Sequence, residues 1–245
     1  LATFDSHYET AAVAIQRSLG SRSAGWHLIG ATATIAGYRE QSHHLYLRGA
    51  TRFPAPGPSA YDSFYYTAGD RLLGRLYVGL LGVGRSHTPA VARALALLFY
   101  VVDGTRRGAA RNLDAAREYL GLPDVTLDEI EELCFLYEVV LTYVLTRKGG
   151  DQVGEAIDTR VRPDVAAAVG SALRVESFNS SIEMPRMIST MEEIESGSRD
   201  MPTDERIRGV VATNIISHGV DVDRFNVMVF AGLPRQYAEY IQASA

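Results

Sequence analysis

At 245 residues the chain can hold one large domain or two small ones of roughly 150 residues each, with a real core. Its 47% hydrophobic and 22% charged content is that of an ordinary globular protein, and no apolar run reaches the roughly 18 to 20 residues of a membrane-spanning helix. The net charge of −5 argues against a general nucleic-acid binder, and the single cysteine, Cys134, excludes an internal disulfide framework and a cysteine-built zinc site, which fits a reducing cytoplasm.

The start, Leu1-Ala2-Thr3-Phe4, lacks an initiator Met, a basic leader and a cleavage signal and is read as an internal cut. Asp5 or Ser6 can cap a helix carrying Tyr8, Ala11, Ala12, Ile15 and Leu19 at helical spacing, ended by Gly20. Trp26 to Ile35 reads as a short buried strand running into a turn, and a second segment follows from about Gln41 to Leu47. Phe53-Pro54-Ala55-Pro56-Gly57-Pro58 cannot be regular structure, because each proline removes a donor and fixes φ. The lobe boundary is therefore expected between about 48 and 74. Residues 48 to 93 are locally basic, six arginines against two aspartates, although a solvated charged face is the commoner explanation of such a patch.

Leu76 to Leu81 reads as a strand and Pro89 to about Val102 as an alanine- and leucine-rich helix. Arg111 to Leu120 and Leu127 to Glu138 are two more helices, parted by Gly121-Leu122-Pro123-Asp124. Val139 to Thr146 is a β-branched and aromatic strand, and after Gly149-Gly150 a helix runs from about Asp151 to Arg160. The remaining strands are expected near Leu173 to Phe178, at Ile207 to Ala212 and at Val227 to Ala231, with helices near Pro185 to Glu195 and from about Gln236. This alternation predicts an α/β fold: a mostly parallel, right-handed sheet covered by helices on both faces.

The segment with the most chemistry is Val210 to Val222, an apolar strand ending in a polar turn. Hydroxyls and free backbone N–H groups beyond a strand end can meet phosphate oxygens, Gly219 allows close backbone approach, and Asp221 can accept hydrogen bonds from a sugar or an arginine. On physics alone an ordinary strand-to-helix turn with a capping Asp has about equal weight.

The stretch Ala212-Thr213-Asn214 through Gly219-Val220-Asp221 resembles motif V of superfamily 2 helicases. Glu239-Tyr240-Ile241-Gln242-Ala243-Ser244-Ala245 resembles the opening of motif VI, ending where its first arginine would stand. Thr32-Ala33-Thr34 resembles motif III, Leu141 to Lys148 motif IV, and Val175 to Ser181 falls where such motors place a further backbone-contacting turn. Thr3 to Glu9, the Arg52-Phe53-Pro54 linker and the Ala212 to Val222 turn resemble large bacterial helicases such as the helicase subunit of DISARM anti-phage systems, and relatives carrying or pairing with a DUF1998 module.

The resemblance implies a fragment of an ATP-dependent helicase or translocase, cytoplasmic and acting on nucleic acid, DNA ahead of RNA. It implies the tail of a first RecA-like lobe over 1 to 50, a proline-rich linker over 51 to 74, and a second lobe over 75 to 245 with a helical insertion near 105 to 138. ATP with Mg2+ would bind between the lobes, lined by Gly219, Asp221 and Gln242; Thr32, Ala33 and Thr34 would couple nucleotide state to grip. Thr213, Asn214, Ser217, Ser180, Lys148, Thr146 and Arg85 would hold the nucleic-acid backbone, and a DUF1998-type subunit is the expected partner. The alternatives are a nucleic-acid-binding module without ATPase function and a Rossmann-like nucleotide-sugar enzyme.

No Walker A lysine motif and no Asp-Glu-x-His motif occur in the 245 residues. Gly79 to Ser86 has phosphate-loop spacing but carries Arg85 where lysine belongs, so it reads as a glycine-rich turn that touches a nucleic-acid phosphate through Arg85. His43 and His44, being adjacent, cannot both face one metal. His218 either touches phosphate or is solvated. Glu129, Glu131, Glu132 and Glu138 read as a wet helical face, and Tyr61, Tyr65 and Tyr66 as packing residues rather than base-stacking ones.

Overall fold

The computed structural model describes residues 2–19, 28–31, 37–55, 62–64, 66–67, 74–84, 86–170, 172–178, 182–213 and 222–244. Two helices open the chain, α1 (Ala2–Ser18) and α2 (Tyr38–Tyr46); α2 buries none of its residues. A two-residue antiparallel pair follows, β1 (Asp62–Ser63) with β2 (Tyr66–Thr67).

Two expected strands are absent where the chain is described. Leu28 to Ala31, within the strand read at Trp26 to Ile35, is irregular and exposed, with Ile29 95% exposed. Leu76 to Leu81 is likewise irregular and exposed. Both runs have strand-like composition, but a strand exists only through a partner that takes its N–H and C=O groups, and neither run has one among the described residues.

The longest helix, α3 (His87–Arg111), runs on well past the expected end at Val102. Asn112 then caps α4 (Leu113–Leu120) by accepting from the Ala115 N–H, and Gly121, in the left-handed region at φ 67°, ends it. Thr126 and Glu129 form a capping box for α5 (Leu127–Tyr137), each side chain bonded to the other's backbone N–H. Ala109, Ala116, Ile130 and Cys134 pack these three helices together.

From here strand and helix alternate as expected. The elements are β3 (Val140–Val144), α6 (Arg147–Ala156), a π-turn over Ile157–Val161, α7 (Arg162–Val169), β4 (Arg174–Phe178), α8 (Met184–Glu195), β5 (Ile207–Ala212), β6 (Val227–Ala231) and α9 (Tyr237–Ser244). The π-turn stands immediately before Pro163: the proline lacks an N–H and crowds the preceding turn, so the Arg162 N–H reaches back to the Ile157 carbonyl. The strands form one parallel sheet in the order β4-β5-β3-β6. This is the α/β architecture read from the sequence, of the kind a RecA-like lobe has.

Period-two alternation sorts the sheet residues to two faces. Val140, Val144 and Val211 meet α3, α6, the π-turn and α7, while Leu141, Val210 and Ala212 meet Met187, Met191 and Ile194 of α8. Each face thus has its own helical layer.

An ion cluster lies at the amino ends of the strands. Glu138, just before β3, is fully buried and pairs with Arg106 at 2.8 Å, Arg206 at 2.9 Å and Arg224 at 3.1 Å. The wet-face reading of Glu138 is therefore wrong. Helical spacing shows where charges fall on a helix but not which cations later strands bring to it. Asp103 of α3 faces the fully buried Arg208, and Arg106 also reaches Glu131 at 3.0 Å. The Arg224 guanidinium sits 3.6 Å from the Phe135 ring centre. Burial pulls the Arg206 and Arg224 pKa values below the ordinary guanidinium value, against the attraction of Glu138.

Candidate functional site

In open parallel sheets ligands sit beyond the carboxyl ends of the strands, where neighbouring connections leave toward opposite faces. Two central strands bring their carboxyl ends together: β3 and β5 are paired from Val140↔Gly209 to Tyr143↔Ala212, so these ends are side by side. After β3 the chain turns into α6, which packs on one face of the sheet. Three of the expected nucleic-acid residues, Thr146, Lys148 and Thr213, follow these two strand ends.

Thr146 caps α6, its hydroxyl oxygen accepting from the Gly149 N–H at 3.1 Å. A Cβ on Gly149 would stand 3.1 Å from that oxygen, so glycine suits the tight first turn. Thr146, Arg147 and Lys148 are all exposed, which puts two cationic residues and the positive end of a helix dipole at the strand end. Thr213 follows β5 directly; its N–H donates to the Phe178 carbonyl at 3.4 Å, tying the ends of β5 and β4 together, and the residue is 8% exposed.

β6 ends at Gly232, whose φ of 90° belongs to the left-handed region and where a Cβ would come within 3.3 Å of Leu145. Beyond it α9 lies against the aromatic side chains of the sheet. Tyr143 and Phe230, partners across β3 and β6, have ring centres 5.5 Å apart; Phe230 and Tyr240 stand 5.7 Å apart, and Tyr240 and Tyr237 6.4 Å. The Tyr143 hydroxyl donates to Glu239 of α9 at 2.9 Å. Burial, with the hydrogen bond and the negative charge of Glu239, pushes the phenol up to about 12. Residue 242 lies in α9, one turn beyond Glu239.

The remaining expected residues, Thr32, Ala33, Thr34, Arg85, Ser180, Asn214, Ser217, Gly219 and Asp221, lie outside the described residues, as does the side chain of Gln242. Of the Gly79 to Ser86 loop, Gly79 to Gly84 is irregular and exposed. The Tyr143–Glu239 bond was missed by sequence reasoning, since 96 residues separate the pair and the alternation of β3 marks Tyr143 only as buried.

A groove of about 410 Å3 runs along the outer edge of β4, between Ile157, Asp158 and Arg162 on one side and Ile182 and Arg186 on the other. Its cations are neutralised locally, Arg162 by Asp158 at 2.9 Å and Arg186 by Glu176 at 3.5 Å. Among the described residues no helix is long and apolar enough to cross a membrane.

No family model matches the chain. It is similar to "DISARM protein DrmA" of Bacillus paralicheniformis, 29% identical over 224 residues, which cover 89% of this chain and 18% of that relative. The chain thus spans less than a fifth of the length of the relative it matches.

Proposed function

We propose that this chain is part of the motor of a DISARM-type anti-phage helicase, with residues 1 to 50 closing a first RecA-like lobe, 51 to 74 linking, and 75 to 245 forming the second lobe. The observation that carries the reading is that β3 and β5, which end in the motif IV-like and motif V-like segments, are neighbouring parallel strands with their carboxyl ends side by side. Similarity to the DISARM protein over 89% of the chain supports the same reading.

In this reading Lys148, the Thr146 turn and Thr213, with Asn214, Ser217, Ser180 and Arg85, hold the phosphates of a nucleic-acid strand, DNA rather than RNA. Such contacts give affinity without reading sequence. Gly219, Asp221 and Gln242 line the second-lobe side of an ATP–Mg2+ site, and Thr32, Ala33 and Thr34 link it to grip. Bound ATP would supply the phosphoryl-transfer energy that moves the lobes, and Gly219, Asp221 and Gln242 would hold and orient it. A DUF1998-type subunit is the proposed partner.

The test is ATP hydrolysis by the complete protein with and without single-stranded DNA. Strand-stimulated turnover that Asp221→Ala abolishes, with nucleotide-free DNA binding retained, is expected. Absence of turnover in the wild-type protein overturns the motor reading and leaves a passive nucleic-acid binder.

A further inference from the structure

We infer that Arg235 and Tyr237 form a further subsite for single-stranded nucleic acid, Arg235 on a phosphate and Tyr237 stacked on a base; this rests on the nucleic-acid contacts proposed above. Val144 and Ala231 are register partners at the carboxyl ends of β3 and β6. Lys148 stands four residues after the first and Arg235 four residues after the second, so two cations follow adjacent strand ends. Both are exposed, and neither has an ion pair among the described residues. Other arginines around the sheet are held by carboxylates: Arg162 by Asp158, Arg174 by Glu193, Arg186 by Glu176 and Arg199 by Asp128. Neighbouring strands lie about 4.8 Å apart, so a phosphate backbone that passes Lys148 comes within reach of a long cationic side chain following the next strand.

Tyr237 opens α9 two residues beyond Arg235 and is 77% exposed. Its ring is the outer end of an aromatic row, 6.4 Å from Tyr240, which stands 5.7 Å from Phe230, itself 5.5 Å from the fully buried Tyr143. Tyr77, hydrogen-bonded to Tyr240, and Arg75, donating to the Ser244 carbonyl, fasten the same helix. Glu239, the acid in the first turn of α9, is engaged by the Tyr143 hydroxyl. A ring carried on an anchored helix and open to solvent loses little freedom when a base lies on it. Stacking of this kind is indifferent to sequence, because every base has a π-face, which matches phosphate contacts that do not read sequence either.

The experiment measures binding of the complete protein, without nucleotide, to a thymidine single strand and to a strand of equal length made of abasic sites. Tyr237→Ala is expected to weaken binding of the thymidine strand about tenfold at unchanged salt slope, and binding of the abasic strand by less than about twofold. Tyr237→Trp, which keeps a stacking ring, should stay within about twofold of wild type on both. Arg235→Ala should weaken both strands alike and lower the salt slope by about one unit. An equal loss on both strands in Tyr237→Ala, or a loss on neither, overturns the base contact, and an unchanged slope in Arg235→Ala overturns the phosphate contact. An effect of Tyr237→Ala confined to the KM for ATP overturns the inference as well, since the stacked base would then belong to the nucleotide. Turnover of ATP by the wild-type protein decides the motor reading separately: a protein that shows the expected strand binding and hydrolyses nothing keeps the subsite and loses the motor.

Discussion

Arg208 of β5 and Asp103 of α3 face each other through two contacts of 2.8 Å, Nη1 to Oδ2 and Nη2 to Oδ1, with the arginine side chain fully buried. A guanidinium in that position has exchanged water for one carboxylate and the face of Phe99, whose ring centre lies 5.4 Å away. Removing the carboxylate leaves a buried charge without compensation. Asp103→Ala is therefore expected to destabilise the protein by about 3–5 kcal/mol, and Asp103→Leu combined with Arg208→Met to recover most of that loss. Urea denaturation of the two variants beside the wild type checks it; a loss under about 1 kcal/mol for Asp103→Ala would remove the pair from the fold's essential contacts.

Tyr143 offers a pH test. Its folded value of about 12 stands above the usual value of about 10 for a free phenol, so the protonated hydroxyl contributes stability that is complete below about pH 10 and lost as pH rises through about 12. The phenolate absorbance difference between wild type and Tyr143→Phe should stay flat through pH 10 and rise only near 12. In Glu239→Gln, without the carboxylate charge, that rise should come at lower pH. A difference signal already complete at pH 10 contradicts the buried bond.

Lys148 is exposed at the start of α6, beside the carboxyl end of β3. If a phosphate backbone crosses there, Lys148→Ala weakens single-strand binding about equally for all sequences and lowers the salt slope by about one unit, while Thr213→Ala weakens binding with little change in slope. Affinities of the complete protein at several salt concentrations measure both. An unchanged slope for Lys148→Ala moves the track elsewhere.

Cys134 is buried between α3 and α5, and burial pushes its thiol up to about 11 against the pull of Arg106. Because the thiolate is the reactive form, labelling by a thiol reagent at pH 8 should be about 100-fold slower in the folded protein than in urea. Equal rates would mean that α5 opens freely from α3.

The sequence was most legible in the strands of the parallel sheet. Ile207 to Ala212, apolar apart from Arg208 and Gly209, and the apolar run Val227 to Ala231 are the observed strands to the residue. Leu76 to Leu81 is similarly apolar and has no strand partner among the described residues, and composition carries no information about partners. Glu138 failed for the related reason that Arg206 and Arg224, which neutralise it, stand on segments far along the chain. The candidate site was legible as strand ends, on which the resemblance to motifs IV and V singled out Thr146, Lys148 and Thr213. That β3 and β5 are neighbours is a property of strand order, which alternation does not encode.

With its 25 residues α3 is about 37 Å long. Its first half lies in the core against the sheet through Leu95 and Phe99, and its second half carries α4 and α5 through Ala109. Arg107 clamps the junction by donating to the Val169 carbonyl at 2.8 Å, and α5 feeds through Glu138 straight into β3. The α4–α5 pair is consequently an arm on a rigid rod rather than a tethered appendage. It is held at two points, by α3 in the core and by Glu138 at the start of β3, the strand whose carboxyl end precedes Lys148.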